Sequence, residues 1–110
     1  MAYSYNMIFI ETSIFTKEIQ RLLPDDEYRK LQQDLMLRPG AGRIIKGSGG
    51  LRKIRWNIPG EGKRGGLRVI YYWDPPEIIY MLFPYRKTEQ ENLTPAQVKI
   101  LKKLVKECLS

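Results

Sequence analysis

Residues 51–83, LRKIRWNIPGEGKRGGLRVIYYWDPPEIIYMLF, decide how this chain folds. Residues 67–73 (LRVIYYW) are almost entirely β-branched or aromatic, and 51–58 (LRKIRWNI) and 78–83 (IIYMLF) flank them as two further strand candidates. A glycine-rich basic turn, residues 60–66, joins the first pair, and Asp74-Pro75-Pro76 joins the second. Three strands linked by short turns predict an antiparallel meander.

Residues 5–10 (YNMIFI) suit a first strand buried on both faces. Thr12 or Ser13 caps a helix whose apolar positions Phe15, Ile19 and Leu22 keep helical spacing. Pro24-Asp25-Asp26-Glu27 puts proline and three acids where a second helix begins, favouring its positive dipole end. Tyr28, Leu31 and Leu35 form the stripe of that helix, and Pro39-Gly40 stops it. Thr94-Pro95-Ala96-Gln97 reads as a capping box opening a last helix, with Val98, Leu101, Val105 and Cys108 as its apolar side. The order β-α-α-β-β-β-α predicts an α+β fold over residues 1–110, a single domain. In it a helical hairpin and a C-terminal helix pack on a small antiparallel sheet.

Composition narrows the chemistry. The chain has 110 residues, 19 Lys and Arg against 12 Asp and Glu, no His and one Cys, and 43% of it is hydrophobic. One cysteine and no histidine leave neither a disulfide framework nor a zinc motif, so no metal or cofactor is expected. Without histidine there is no Ser-His-Asp triad, and proton transfer falls to Lys, Tyr, Asp, Glu or water with a shifted pKa. No apolar run approaches the roughly 20 residues of a membrane span. The N-terminus lacks a basic n-region and a small-residue cleavage site, so a cytoplasmic protein is expected.

Charge is concentrated. Residues 38–73 carry nine cations and one acid, a net +8, while the rest of the chain stands at −1. All nine glycines fall between Gly40 and Gly66. Strand alternation assigns Leu67, Val69, Tyr71 and Trp73 to one face and Arg68, Ile70 and Tyr72 to the other. Aligning the apolar faces brings Lys53, Arg55, Arg68 and Tyr72 together on an uncovered side of the sheet. Lys63 and Arg64 reach over the rim from the turn, and Pro84-Tyr85-Arg86-Lys87 adds an aromatic and two cations after the last strand. Cations interleaved with aromatics suit a polyanion carrying unstacked bases. The lysines of the last helix (Lys99, Lys102, Lys103, Lys106) read as a solvated face, and Tyr71 and Trp73 as core. No GxxxxGK[ST] or GxGxxG pattern is present, which argues against NTPase-type nucleotide binding. Arg68, inside the most apolar strand, requires an anionic partner: a carboxylate such as Glu89, or an RNA phosphate.

A basic β-α-α-β-β-β-α chain with GGLRKIRW, GKRGGLRVIYYW and YRKTE resembles the toxins of the RelE/ParE superfamily. It is most similar to the HigB-type toxins of bacterial type II toxin–antitoxin modules, over nearly its whole length. The resemblance implies a cytoplasmic endoribonuclease that enters the ribosomal A site and cuts mRNA during translation, blocked by a cognate antitoxin protein. Arg68 matches the family's strand arginine that contacts the scissile phosphate. Lys87 matches a basic position near the end of the last strand, and Tyr85 stands where HigB-like members often have tyrosine. Lys53 and Arg55 lie close to a basic pair of that strand. Thr88 and Leu93 stand near the places of RelE's downstream arginine and tyrosine, and the histidines of some relatives are absent.

The mechanism expected from this is metal-independent cleavage by the RNA's own 2′-OH. Arg68 stabilises the phosphate, Lys53 or Lys87 transfers protons, and Tyr85 stacks on a base or assists proton transfer. Arg52, Arg55, Lys63, Arg64 and Arg86 hold RNA backbone. Two other readings compete: a ParE-like toxin that poisons gyrase without nuclease chemistry, and a non-toxic basic RNA-binding protein.

Overall fold

In the computed structural model, which describes residues 6–60 and 66–109, the elements are β1 (Ile8–Glu11), α1 (Ser13–Leu22), α2 (Asp25–Leu37), β2 (Arg43–Ile44), β3 (Arg52–Trp56), β4 (Leu67–Asp74), β5 (Ile78–Arg86) and α3 (Pro95–Leu109). The fold is α+β, with a five-stranded sheet in the order β1-β5-β4-β3-β2. The predicted meander is β3-β4-β5, antiparallel throughout. Two features depart from the expected antiparallel sheet. β1 pairs with β5 in parallel, Ile8 opposite Ile78, so the sheet is mixed. The intervening helices and strands give the chain the long connection that parallel pairing needs. At the other edge β2 adds two residues against β3, Arg43 opposite Lys53. β1 is not buried on both faces, because it is an edge strand: Ile8 and Ile10 remain 49% and 42% exposed.

Both faces of the sheet are covered, each by its own core. Leu67, Val69 and Tyr71 of β4 and Ile79 and Met81 of β5 pack against Phe15, Ile19, Leu22, Leu31 and Leu35 of the helical hairpin. Ile70, Tyr80, Leu82 and Tyr85 pack on the opposite face against Leu101 and Val105 of α3. The face expected to be bare is therefore half covered. Cys108, expected on the apolar side of α3, is exposed. The caps form as predicted: the Thr12 side chain accepts from Phe15 N at 3.0 Å, and Thr94 and Gln97 bond reciprocally at 2.9 and 3.1 Å.

β5 runs on through Pro84 to Arg86, three residues past its expected end. β1 stops opposite Met81, so at Pro84 the strand has a neighbour on one side only, where proline is tolerated. The pairing of β4 with β5 slips within this stretch, Ile70 opposite Phe83 but Tyr71 opposite Met81, leaving Leu82 as a bulge. Alternation from Met81 would turn Tyr85 toward the helical hairpin. The extra residue reverses that parity, and Tyr85 instead stands beside Arg68, its cross-strand partner. The bulge is secured from α1: Thr12 Oγ1 donates to the Leu82 carbonyl at 2.8 Å and Thr12 N donates to the Met81 carbonyl at 3.1 Å. Thr12→Ala removes a helix cap worth about 1 kcal/mol and leaves the bulge carbonyl short of a donor, at about 1–3 kcal/mol. The expected loss of about 2–4 kcal/mol is read as a lower urea midpoint at unchanged slope.

Candidate nucleic-acid interface

The register of β2, β3, β4 and β5 fixes which cations meet. Arg43 stands opposite Lys53, Lys53 opposite Ile70, and Arg55 opposite Arg68, which in turn faces Tyr85. Arg43, Lys53, Arg55, Arg68 and Tyr85 thus share the face that α3 covers only in part. A groove of about 490 Å³ lined by Ala41, Arg43, Lys53, Ile54 and Arg55 opens beside them. Arg43, which carries no role in the sequence reading, extends the basic row to the sheet edge. A two-residue strand between glycine turns has too few residues to show alternation.

Arg68 is only 8% exposed. Its Nη1 lies 3.5 Å from the Leu67 carbonyl, and among the described residues no carboxylate comes within 4 Å of its guanidinium. Glu89, the carboxylate considered for it, turns instead to Arg21 at 3.4 Å. Gly66 makes room for the guanidinium, since a Cβ there would stand 2.7 Å from Arg68 Nη1. The Gly66 carbonyl accepts from Lys87 N at 3.0 Å, which seats exposed Lys87 one step beyond β5, at the rim.

Tyr85 is 2% exposed, and its hydroxyl is buried without a hydrogen-bond partner among the described residues. As packed, its ring lies against Phe83 at 6.0 Å between centroids and cannot stack on a nucleobase. Burial pushes its pKa up, against a smaller opposing pull from Arg68, so the phenol is protonated near neutrality. Lys53 is half-buried, and its pKa lies below the ordinary lysine value through burial first and the charges of Arg55 and Arg68 second. Its Nζ donates to Asn92 Oδ1 at 3.3 Å.

Three expected members of the cluster lie elsewhere. Arg52 is on the opposite face, donating to the Gly40 and Gly42 carbonyls at 3.2 and 2.8 Å. Its loop is held by the Tyr71 hydroxyl, which accepts from Gly42 N and donates to the Pro39 carbonyl, both at 2.8 Å. A Cβ at Gly42 would meet that hydroxyl at 2.9 Å, so the approach needs glycine. Arg86 pairs with Leu67 and follows it to the hairpin face. Tyr72 sits at the far end of β4 among Gly49, Lys102, Val105 and Lys106, against α3. Lys63 and Arg64 lie outside the described residues. Among the described residues no three His, Cys, Asp or Glu side chains gather to share a metal ion, and no helix is long and apolar enough to cross a membrane.

Two arginines directly opposite each other, with a lysine beside them, repel. Arg55→Leu is expected to raise the melting temperature in low salt and to narrow the gain that added salt gives the parent chain. It also lets the Lys53 pKa rise toward its ordinary value, followed by the lysine ¹³Cε shift against pH. An unchanged salt response and an unchanged titration would show that the three cations do not interact. The family model described as the RelE toxin of the RelE / RelB toxin–antitoxin system matches residues 39–110, which take in β2 to β5, α3 and every residue of the cluster.

Proposed function

We propose, since the chain belongs to the RelE toxin family, that this toxin of a toxin–antitoxin system is a metal-independent endoribonuclease that cuts mRNA in the ribosomal A site, and that a RelB-type antitoxin blocks it. The observation that carries the reading is Arg68, a buried guanidinium with no carboxylate within 4 Å among the described residues. Such a group is costly to bury alone and gains most from an anion that comes and goes. A phosphodiester is that anion, and the planar donor fork of arginine fits its non-bridging oxygens.

The chemistry follows from the cluster. Lys53, with its pKa depressed, takes the proton of the ribose 2′-OH. The 2′ oxygen forms its bond to phosphorus as the bond from phosphorus to the 5′ oxygen breaks. Arg68 holds the added negative charge of the phosphorane-like transition state. The ammonium of Lys87, at the rim, returns a proton to the departing 5′ oxygen. The products are a 2′,3′-cyclic phosphate and a 5′-hydroxyl, and no water or metal enters the bond-breaking step. Alignment on the ribosome supplies much of the rest, since orientation alone is worth roughly 7–11 kcal/mol in favourable cases. Tyr85 acts through Arg68, walling off the side of the guanidinium away from RNA. Arg43 and Arg55 hold backbone along the groove. The likeness of GGLRKIR and GKRGGLRVIYY to HigB-type toxins supports that branch of the superfamily.

Arg68→Ala is expected to lower mRNA cleavage by about 10²–10³-fold with unchanged circular dichroism. Arg68→Lys restores only part of it, because an ammonium lacks the fork. The parent's rate climbs with pH through the depressed Lys53 pKa. Mapping of 5′ ends after brief induction in growing bacteria is expected to give in-frame cuts within translated codons. Intact mRNA with stalled DNA supercoiling would instead favour a gyrase poison.

A further inference from the structure

Asn92 is the neutral group that touches Lys53, and it is not left to chance. The Gln90 side-chain amide donates to the Asn92 carbonyl at 3.0 Å and to Gln97 Oε1 at 2.8 Å, and Gln97 Nε2 returns a bond to Gln90 Oε1 at 3.4 Å. Gln97 in turn belongs to the capping box with Thr94 at the start of α3. Hydrogen bonds from the first turn of α3 thus reach through Gln90 to the Asn92 main-chain carbonyl, and the Asn92 side chain accepts from the Lys53 amine.

We propose that Asn92 is a positioning residue for Lys53: its amide oxygen aims the lysine nitrogen at the RNA while adding no charge that would hold the proton on it. The inference rests on the reading of Lys53 as the base. A neutral amine has two N–H bonds and one lone pair. Giving one N–H to Asn92 leaves the lone pair only the two remaining positions about the nitrogen. A carboxylate in the same place would orient the nitrogen equally well but stabilise the ammonium. The charged groups that face Lys53 are Arg43, its cross-strand partner on β2, Arg55 two residues along β3 and Arg68 on β4. Of the carboxylates on the segment between β5 and α3, Glu89 turns to Arg21, and neither it nor Glu91 is within 4 Å of Lys53. Among the described residues the Lys53 amine thus meets two arginine charges and a neutral amide, with no carboxylate within 4 Å.

Asn92→Asp and Asn92→Ala separate aiming from mere packing. In the RNA-free protein, with ¹³C-labelled lysine, Asn92→Asp is expected to raise the Lys53 pKa by about one unit, while Asn92→Ala lowers it slightly. In a translating extract, Asn92→Asp moves the acid limb of the cleavage profile upward by the same amount, costing about tenfold below it, and recovers the parent rate above it. Asn92→Ala is slower several-fold at every pH. A Lys53 titration identical in parent, Asp and Ala variants overturns the contact, whatever the cleavage. A shifted titration without recovery of the Asp variant at high pH overturns the aiming role. If the parent cuts no mRNA at any pH, the nuclease reading and the role built on it fall together, and the titration alone reports whether the contact exists.

Discussion

One extra residue in β5 is what the cationic face depends on. With Leu82 bulged, Met81 stays in the core under the helical hairpin while Tyr85 crosses to the side of Arg68. Thr12 holds that bulge by giving its hydroxyl proton to the Leu82 carbonyl while its oxygen caps α1. The helix start and the strand irregularity are therefore tied together through a single side chain. Bulges that re-aim side chains are common next to functional sites. Here the re-aimed group is the aromatic that closes off a buried guanidinium from the core side.

What surrounds that guanidinium is equally constrained. Glycine at position 66 leaves room for it, and the same residue's carbonyl fastens the backbone of Lys87. The two cations that flank a substrate phosphate in the proposed mechanism are thus positioned from one peptide. Lys53 approaches from the neighbouring strand, with its charge disfavoured by burial and by two arginines. The three residues of the proposed mechanism sit on or next to paired strands, Lys53 and Arg68 within the ladder and Lys87 bonded to Gly66 just past its end, so the sheet limits their spacing.

Much of this was legible in the sequence where period-2 alternation holds. The face shared by Lys53, Arg55 and Arg68 follows from the apolar residues that alternate with them, Ile54 and Trp56 in one strand and Leu67 and Val69 in the other, and the caps of α1 and α3 follow from side chains that bond within one turn. Legibility failed where a long-range contact overrides local pattern. Alternation alone gives Tyr85 the wrong face, because a bulge at Leu82, bonded by Thr12 from 70 residues away, breaks the period. Arg52 reads as one more cation of a basic run, yet one step along β3 turns it to carbonyls of a loop. The covering of Tyr72 and Ile70 by α3 depends on where the last helix docks, which its apolar stripe does not specify. Asn92, a neutral side chain in a polar connection, has no periodicity or charge by which to be noticed.

The pairing of Arg55 with Arg68 has a thermodynamic corollary. Folding brings like charges together that the unfolded chain keeps apart, so part of the driving force for collapse is spent on self-repulsion. Any polyanion seated on that face relieves this, and by mass action it stabilises the native state in step with its own concentration. The free toxin is then the least stable form of the molecule, and occupancy of its basic face is linked to how much of it stays folded.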